Sequence, residues 1–279
     1  MIKKIPKRLI SQIVFFLLQN PLLKNFFSGT IYKGDLKKIC TPGLNCYSCP
    51  AAVTSCPIGS LQLFIAGAKH SVSLAVTGFL LITGVFFGRI ICGYVCPMGL
   101  LQDLLFRIKT PKLNVRLRYL RFLKYMVLAL FVLLLPYAIR NELSNLGSPW
   151  FCKYICPSGT IFAAFPLLAV NEFLRNLAGV QFVCKAIFAA GIVLSSVFIF
   201  RFFCRVLCPL GAIYSLFNKI AVVRIHCDKE KCVSCGSCRE SCRIKIDPVK
   251  QINSPECVRC NACIKACKTR ALGYSNRKL

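Results

Sequence analysis

CVSCGSCRESC at residues 232–242 and CVRCNACIKAC at residues 257–267 place eight of the chain's 20 cysteines in two runs of one spacing, C-x2-C-x2-C-x3-C. That spacing wraps cubane iron–sulfur clusters. Two-residue spacers let a tight loop aim three thiolates at one cluster, while the fourth reaches across to the other. The rule assigns Cys232, Cys235, Cys238 and Cys267 to one [4Fe-4S] cluster, and Cys257, Cys260, Cys263 and Cys242 to a second. Structural zinc usually takes two well-separated C-x2-C pairs, and disulfides between such near neighbours are strained. Arg243 and Lys268 stand where a proline commonly follows the fourth cysteine. Proline is not a ligand, so the departure bears on local rigidity and leaves the binding chemistry alone.

Upstream of these runs the composition changes. Hydrophobic residues make up 56% of the chain and concentrate before Val223, where only Asp35, Asp103, Glu142 and Glu172 are acidic. The apolar runs at 71–91, 120–139 and 182–203 each reach the roughly 20 residues that cross a bilayer. A weaker run at 9–27 is broken by Gln19, Asn20 and Pro21. No small-residue cleavage site follows it, so it reads as a retained helix rather than a signal peptide. The expected architecture is an α-helical integral membrane domain over residues 1–223, with about four spans, and a soluble α+β two-cluster module over 224–279.

The formal charge of +28 overstates the basicity, because clusters held by four thiolates are anionic. Lys3, Lys4, Lys7 and Arg8 precede the first run, and Arg107, Lys109, Lys112, Arg116, Arg118, Arg121 and Lys124 crowd the segment after Ile91. By the positive-inside rule these flanks, and with them both termini, lie on the cytoplasmic side of a bacterial or archaeal cytoplasmic membrane. Nucleic acid is excluded as a partner, since the charges flank apolar spans rather than forming one face with interleaved aromatics.

An internal repeat sits at the ends of two apolar runs. Phe87, Arg89, Cys92, Cys96, Pro97, Gly99 and Leu104 match Phe200, Arg201, Cys204, Cys208, Pro209, Gly211 and Leu216. Further Cys-Pro-x-Gly units begin at Cys56 and Cys156, and Cys152 precedes Cys156 by four residues. Such a duplication implies two halves related by a pseudo-two-fold axis along the membrane normal. Proline suits the first position of a helix, so each cysteine falls at an N-cap, where free N–H groups favour a thiolate. Cys92, Cys96, Cys204 and Cys208 are therefore expected to hold a membrane cluster on the cytoplasmic face. On the other face Cys40, Cys46, Cys49 and Cys56 share a loop, opposite Cys152 and Cys156. A cluster on Cys49, Cys56, Cys152 and Cys156, one held within the first loop, and disulfides are all compatible with the spacing. The stretches after Pro57 and Pro157 are short and read as re-entrant helices.

Taken together, C-x3-C-P at the ends of two spans followed by two iron–sulfur runs resembles the membrane polyferredoxins of the NapH, NosR and CcoG type. The resemblance covers residues of about 87 to 270 and rests on Cys92-Gly93-Tyr94-Val95-Cys96-Pro97, Cys204-Arg205-Val206-Leu207-Cys208-Pro209 and the eight module cysteines. It implies an integral membrane iron–sulfur protein relaying electrons between a quinol or cytoplasmic donor and another redox protein. Cysteines 40–56 and 152–156 have no counterpart in the two-motif pattern, and no long flavin-binding domain of the NosR kind is present.

An electron-transfer subunit is accordingly expected rather than a stand-alone enzyme, with two clusters in the module and one or two more in the membrane domain. From Arg224 onward 13 Lys and Arg face 5 Asp and Glu, which suits an acidic flavodoxin, ferredoxin or flavoprotein partner, or lipid headgroups. The rival readings are a quinol dehydrogenase subunit, a reductase of a metal ion or small oxidant at an outer-face cluster, and an assembly factor or sensor. His70, Glu142 and Glu172 are candidate proton acceptors for a quinol, or ordinary interfacial anchors. Arg89 and Arg201 either neutralise cluster charge or snorkel to the boundary. Cys184 reads as a packing residue and Cys227 as a spare. No phosphate loop or catalytic triad appears.

Overall fold

The computed structural model describes residues 7–67, 70–113, 117, 119–140 and 146–276. The helices run α1 (Lys7–Gln19), α2 (Pro57–Ile65), α3 (His70–Phe87), α4 (Pro97–Leu105), α5 (Leu120–Ala138), α6 (Pro157–Val170), α7 (Val180–Phe198) and α8 (Pro209–Phe217), with shorter turns between them. Strands β1 (Val223–Cys227) and β2 (Leu272–Asn276) close the described chain.

Four helices open on a Cys-Pro step. Cys56, Cys96, Cys156 and Cys208 all take extended backbone, with ψ between 110 and 128°, and the following proline is the first helical residue. Two local effects suffice: a proline ring disfavours helical ψ in the residue before it, and its fixed φ suits the first helical position. Inside α5 and α6 the backbone widens to π-helix over Leu128–Leu134 and Thr160–Ala164. Each widening leads into a proline, Pro136 or Pro166, whose ring removes one hydrogen bond and crowds the carbonyl four residues back.

Two described helices, α5 and α7, have the length and apolarity to cross a bilayer. The sequence reading expects about four spans over residues 1–223. Residues 9–27 do not form one helix, because α1 stops at Gln19 before Asn20 and Pro21. Thirteen helical residues rise about 20 Å, short of a hydrocarbon core about 30 Å thick. The run at 71–91 ends as a helix at Phe87, where Gly88 takes φ +52° and turns the chain.

Two helices expose apolar side chains along one side. In α1, Gln12 and Gln19 are buried, while Ile10, Val14, Leu17 and Leu18 are exposed. α7 buries Ala189, Ile192 and Ser196 and exposes Val183, Ile187 and Leu194. Cys184, read from sequence as packing, lies on that exposed side.

Near the C-terminus β1 pairs antiparallel with β2, Ile225 opposite Tyr274 and Cys227 opposite Leu272. The pairing brackets both cysteine runs. Their backbones repeat as their sequences do: Ser234 and Arg259, Gly236 and Asn261, and Lys245 and Arg270 occupy equivalent positions and all have positive φ. This segment is seated on the helices through buried polar contacts. Asn218 donates to Ser254 O (2.6 Å) and Cys257 O (3.1 Å). Arg259, fully buried, donates to Asn218 O (2.7 Å), Phe87 O (3.2 Å) and Val223 O. Lys124, also fully buried, meets Glu256 at 2.7 Å.

Candidate metal-cluster sites

The cysteines gather in four groups. In the C-terminal segment Cys232, Cys235, Cys238 and Cys267 line one cavity, and Cys242, Cys257, Cys260 and Cys263 line another. The structure thus brings together the cysteines of each set named from spacing. The left-handed residues between the cysteines turn successive backbone N–H groups toward the sulfurs, the arrangement that suits an anionic guest. Burial and the neighbouring thiols push Cys257 up to about 11 and Cys263 up to about 12. In the more open first group, N–H donation from Ser237 holds Cys235 below the usual thiol range, and Thr269 does the same for Cys267. Cys227, read as a spare, lies within electrostatic reach of Cys232, Cys238 and Cys267, so a fifth thiol stands beside that group.

The third group is Cys92, Cys96, Cys204 and Cys208, all at most 5% exposed. Leu44 N donates to Cys96 Sγ (3.4 Å), Gly211 N to Cys208 Sγ (3.3 Å) and Gln102 Nε2 to Cys204 Sγ (3.0 Å). Two arginines lace the group together reciprocally. Arg89 donates to Cys204 O (3.0 Å), and Arg201 donates to Cys92 O (2.6 Å). Neither snorkels, since both are 0% exposed. Arg201 forks onto Asp103, Nε to Oδ1 at 3.0 Å and NH2 to Oδ2 at 2.6 Å, and Arg8 and Gln12 share that carboxylate. Arg89 continues to Pro255 O (2.9 Å) and lies 3.6 Å from Glu256. The small residue at Gly99 has a reason: a Cβ there would meet Cys92 O at 2.7 Å.

In the fourth group Cys46 stands where one of the sequence readings has Cys49. Cys46, Cys56, Cys152 and Cys156 line one cavity of about 430 Å³ with Leu44, Gly159 and Lys185 on its wall. Cys49 instead packs with Ala51 and Ala52, its Sγ 3.8 Å from Asn20 Oδ1. Cys40 stands apart as well, beside Ser55 Oγ (3.4 Å) and Ser60 Oγ (3.5 Å). A parallel bridge between Cys40 and Ser55 folds the loop back on itself and brings Cys46 rather than Cys49 to the cavity. Gln62 Nε2 donates to Cys152 Sγ (3.2 Å), and Lys185 Nζ donates to Cys152 O (2.7 Å).

Gln62 and Gln102, both fully buried, are functional candidates that the reading of the sequence missed. Each follows its Cys-Pro step by six residues, in Cys-Pro-x-Gly-x-Leu-Gln. Each also accepts the backbone N–H just before the sulfur it touches, Phe151 N at 2.9 Å and Phe203 N at 3.1 Å. The repeated heptapeptide was the signal. Among the other candidates, Glu172 sits in the exposed first turn of a short helix. Glu142 and the side chain of His70 lie outside the described residues.

All 20 cysteines are free thiols, so the outer loops are not tied by disulfides. Among the described residues no set of three or more His, Cys, Asp or Glu side chains closes on a single metal ion. A zinc–sulfur bond of about 2.3 Å demands tight closure, whereas a four-iron cubane spreads its ligands more widely. Grouped thiols around cavities, with N–H donors aimed at sulfur, fit a cluster.

The 4Fe-4S binding domain family matches residues 69–116, 143–170 and 186–226, which include Cys92, Cys96, Cys152, Cys156, Cys204 and Cys208. An uncharacterized protein of Methanocaldococcus jannaschii is 29% identical over 79% of this chain and 86% of its own length. The putative electron transport protein YccM of Escherichia coli is 22% identical over 67% of this chain and 51% of its own. The methylamine utilization ferredoxin-type protein MauN of Methylobacillus flagellatus is 27% identical over 67% of this chain and 60% of its own. No solved structure matches. These similarities support a 4Fe-4S binding, polyferredoxin-like protein.

Proposed function

We propose that this protein is an integral membrane electron relay in which each of the four cysteine groups holds a [4Fe-4S] cluster. The iron–sulfur electron-transfer function is supported by the names of its relatives. The carrying observation is that three of the groups follow one another with single residues between neighbours. Cys242 and Cys257 share a cavity wall with Val258, whose carbonyl abuts Gly93 beside Cys92. Leu44 donates its N–H to Cys96 and lines the cavity of Cys46 and Cys152. Bound clusters would supply one-electron storage along this series of groups. The protein's part is to hold thiolates, aim N–H donors at sulfur and exclude water.

Membrane placement is supported by the exposed apolar faces of α1 and α7 and, in α1, by the burial of Gln12 and Gln19 on the opposite side. Burying apolar surface drives folding in water, so such faces belong against lipid. The reciprocal Arg89 and Arg201 contacts support an internal two-fold repeat. The module end, with its excess of basic residues, suits an acidic flavodoxin- or ferredoxin-type donor. The Cys46/Cys152 group, opening on its cavity, suits transfer to a redox partner at the far face.

Iron and sulfide counting combined with electron paramagnetic resonance on the intact purified protein tests this reading. Three or four cubanes per chain are expected. Two cubanes, both lost with the module cysteines, would reject the clusters assigned to the helical domain.

A further inference from the structure

Beside the second module group the chain builds a cavity of about 430 Å³ that the electron-transfer reading does not use. Its wall carries Arg121 from the start of α5, Arg205 from the turn before Cys208, and Arg239, Lys245 and Lys250 from the C-terminal segment. None of these five side chains makes a hydrogen bond or an ion pair with a described residue. The two acids on the wall are already engaged. Asp247 accepts the N–H groups of Val249 (3.0 Å) and Lys250 (3.1 Å), and Glu256 pairs with Lys124.

Arg205 is the informative member. It is only 6% exposed and faces the cavity without a side-chain hydrogen bond; Glu256, the acid within its electrostatic reach, is already paired with Lys124. A largely buried side chain whose N–H fork makes no hydrogen bond to the protein is open to a guest that supplies oxygens. Phosphate fits that fork bidentately.

The position of the cavity narrows the guest further. It lies at the basic end of α5, a helix of bilayer-crossing length. Tyr119, Phe122 and Met126 there are 83%, 56% and 62% exposed. Leu117, Ile244 and Ile246 give the same cavity an apolar wall. Basic pockets at the ends of spans take phosphorylated headgroups.

We propose that this cavity is a binding site for a phosphate-bearing anion, filled by the headgroup of an anionic phospholipid at the membrane rim. Such a guest would tie α5 to the C-terminal segment, since its phosphate would be gripped from both. The inference shares the membrane placement proposed above and requires none of the cluster assignments.

The test uses the full chain, purified in neutral detergent and freed of native lipid. Binding of short-chain phosphatidylglycerol, short-chain phosphatidylcholine, glycerol phosphate and inorganic phosphate is then measured, with native mass spectrometry giving the stoichiometry. One phosphatidylglycerol per chain is expected to bind saturably, with phosphatidylcholine weaker, and Arg205→Gln is expected to lower affinity at least tenfold. If glycerol phosphate or inorganic phosphate binds as tightly with the same Arg205 dependence, the anion site stands and its source is soluble. Should Arg205→Gln fail to fold, the exposed pair Lys245→Gln and Lys250→Gln serves instead, with about a fivefold loss expected for each. Binding of none of the probes, or binding unaffected by these substitutions, overturns the proposal.

Discussion

The two cysteine groups of the helical domain are built on one plan and finished differently. In each, a glutamine six residues into a Cys-Pro helix reaches the opposite half, donating to Cys204 in one case and to Cys152 in the other. In each, a cation donates to the backbone carbonyl of that same cysteine: Arg89 to Cys204 O, Lys185 to Cys152 O. The inner group completes the exchange with Arg201 on Cys92 O and seals it with Asp103. Among the described residues the outer group has no such return contact, and Ala52 stands four residues before Cys56 where Cys92 stands before Cys96. Cys46 enters from the loop instead, and the group opens on a cavity. A closed inner group and an open outer one suit a fixed intermediate station and a site of exchange.

The largest effect that tests this comparison is loss of a whole cluster. Cys92→Ser combined with Cys204→Ser should remove one cluster's iron and leave the module's resonances intact. Cys46→Ser should remove the outer cluster, whereas Cys49→Ser should leave the iron count unchanged. Equal loss from Cys49→Ser and Cys46→Ser would dissolve the distinction between the two loop thiols.

The next effect is on stability and falls on the inner group alone. Removing one partner of a buried ion pair leaves an uncompensated charge and costs about 3–5 kcal/mol. Asp103→Asn strands Arg201, which is fully buried. Lys185→Gln at the outer group removes a half-buried cation with no carboxylate partner among the described residues, and it should cost well under half as much. Detergent-solubilised thermal unfolding of the two variants gives the ranking. A reversed order would mean that the inner arginines do not clamp the halves.

Much of this plan was legible beforehand, and the part that was not has a physical reason. Cys-Pro N-caps follow from the covalent restraint of proline on itself and its predecessor, so no tertiary information is needed. The module assignment follows from short spacers for the same reason. Arg89 and Arg201 were undecided because the acids beside them, Glu256 and Asp103, are distant in sequence, and only the fold brings them close. Cys46 could not be separated from Cys49 because a bridge between Cys40 and Ser55, not a motif, sets the path of the loop. The break in the apolar run at 9–27 was legible in Gln19, Asn20 and Pro21, and α1 ends at Gln19.

A finer comparison lies in the two glutamines. Reduction adds negative charge to a cluster and its thiolates, so an N–H donor stabilises the reduced form more and raises the potential. Gln102→Leu or Gln62→Leu should therefore lower the potential of the matching cluster alone. A differential hydrogen-bond contribution of about 1 kcal/mol corresponds to about 40 mV for one electron. Gln→Glu at either position removes a donor while keeping the shape, and should shift the potential in the same direction. Redox titration followed by electron paramagnetic resonance reads each cluster separately. A shift in both clusters from one substitution would show general loosening rather than a local bond.

The smallest effect distinguishes open from closed. Lys185 lines the outer cavity and is partly exposed, so solvent and salt screen its charge, whereas Arg89 is sealed. Lys185→Gln should lower the outer potential by about 20 mV or less at low salt, from the screened charge term alone. That shift should shrink further as salt is raised from about 10 mM to about 500 mM, where the Debye length falls from about 30 Å to a few ångströms. The potential of the inner cluster should be unmoved by the same salt series. If both clusters respond to salt equally, the inner group is as open as the outer one, and its reciprocal arginines do not isolate it from water.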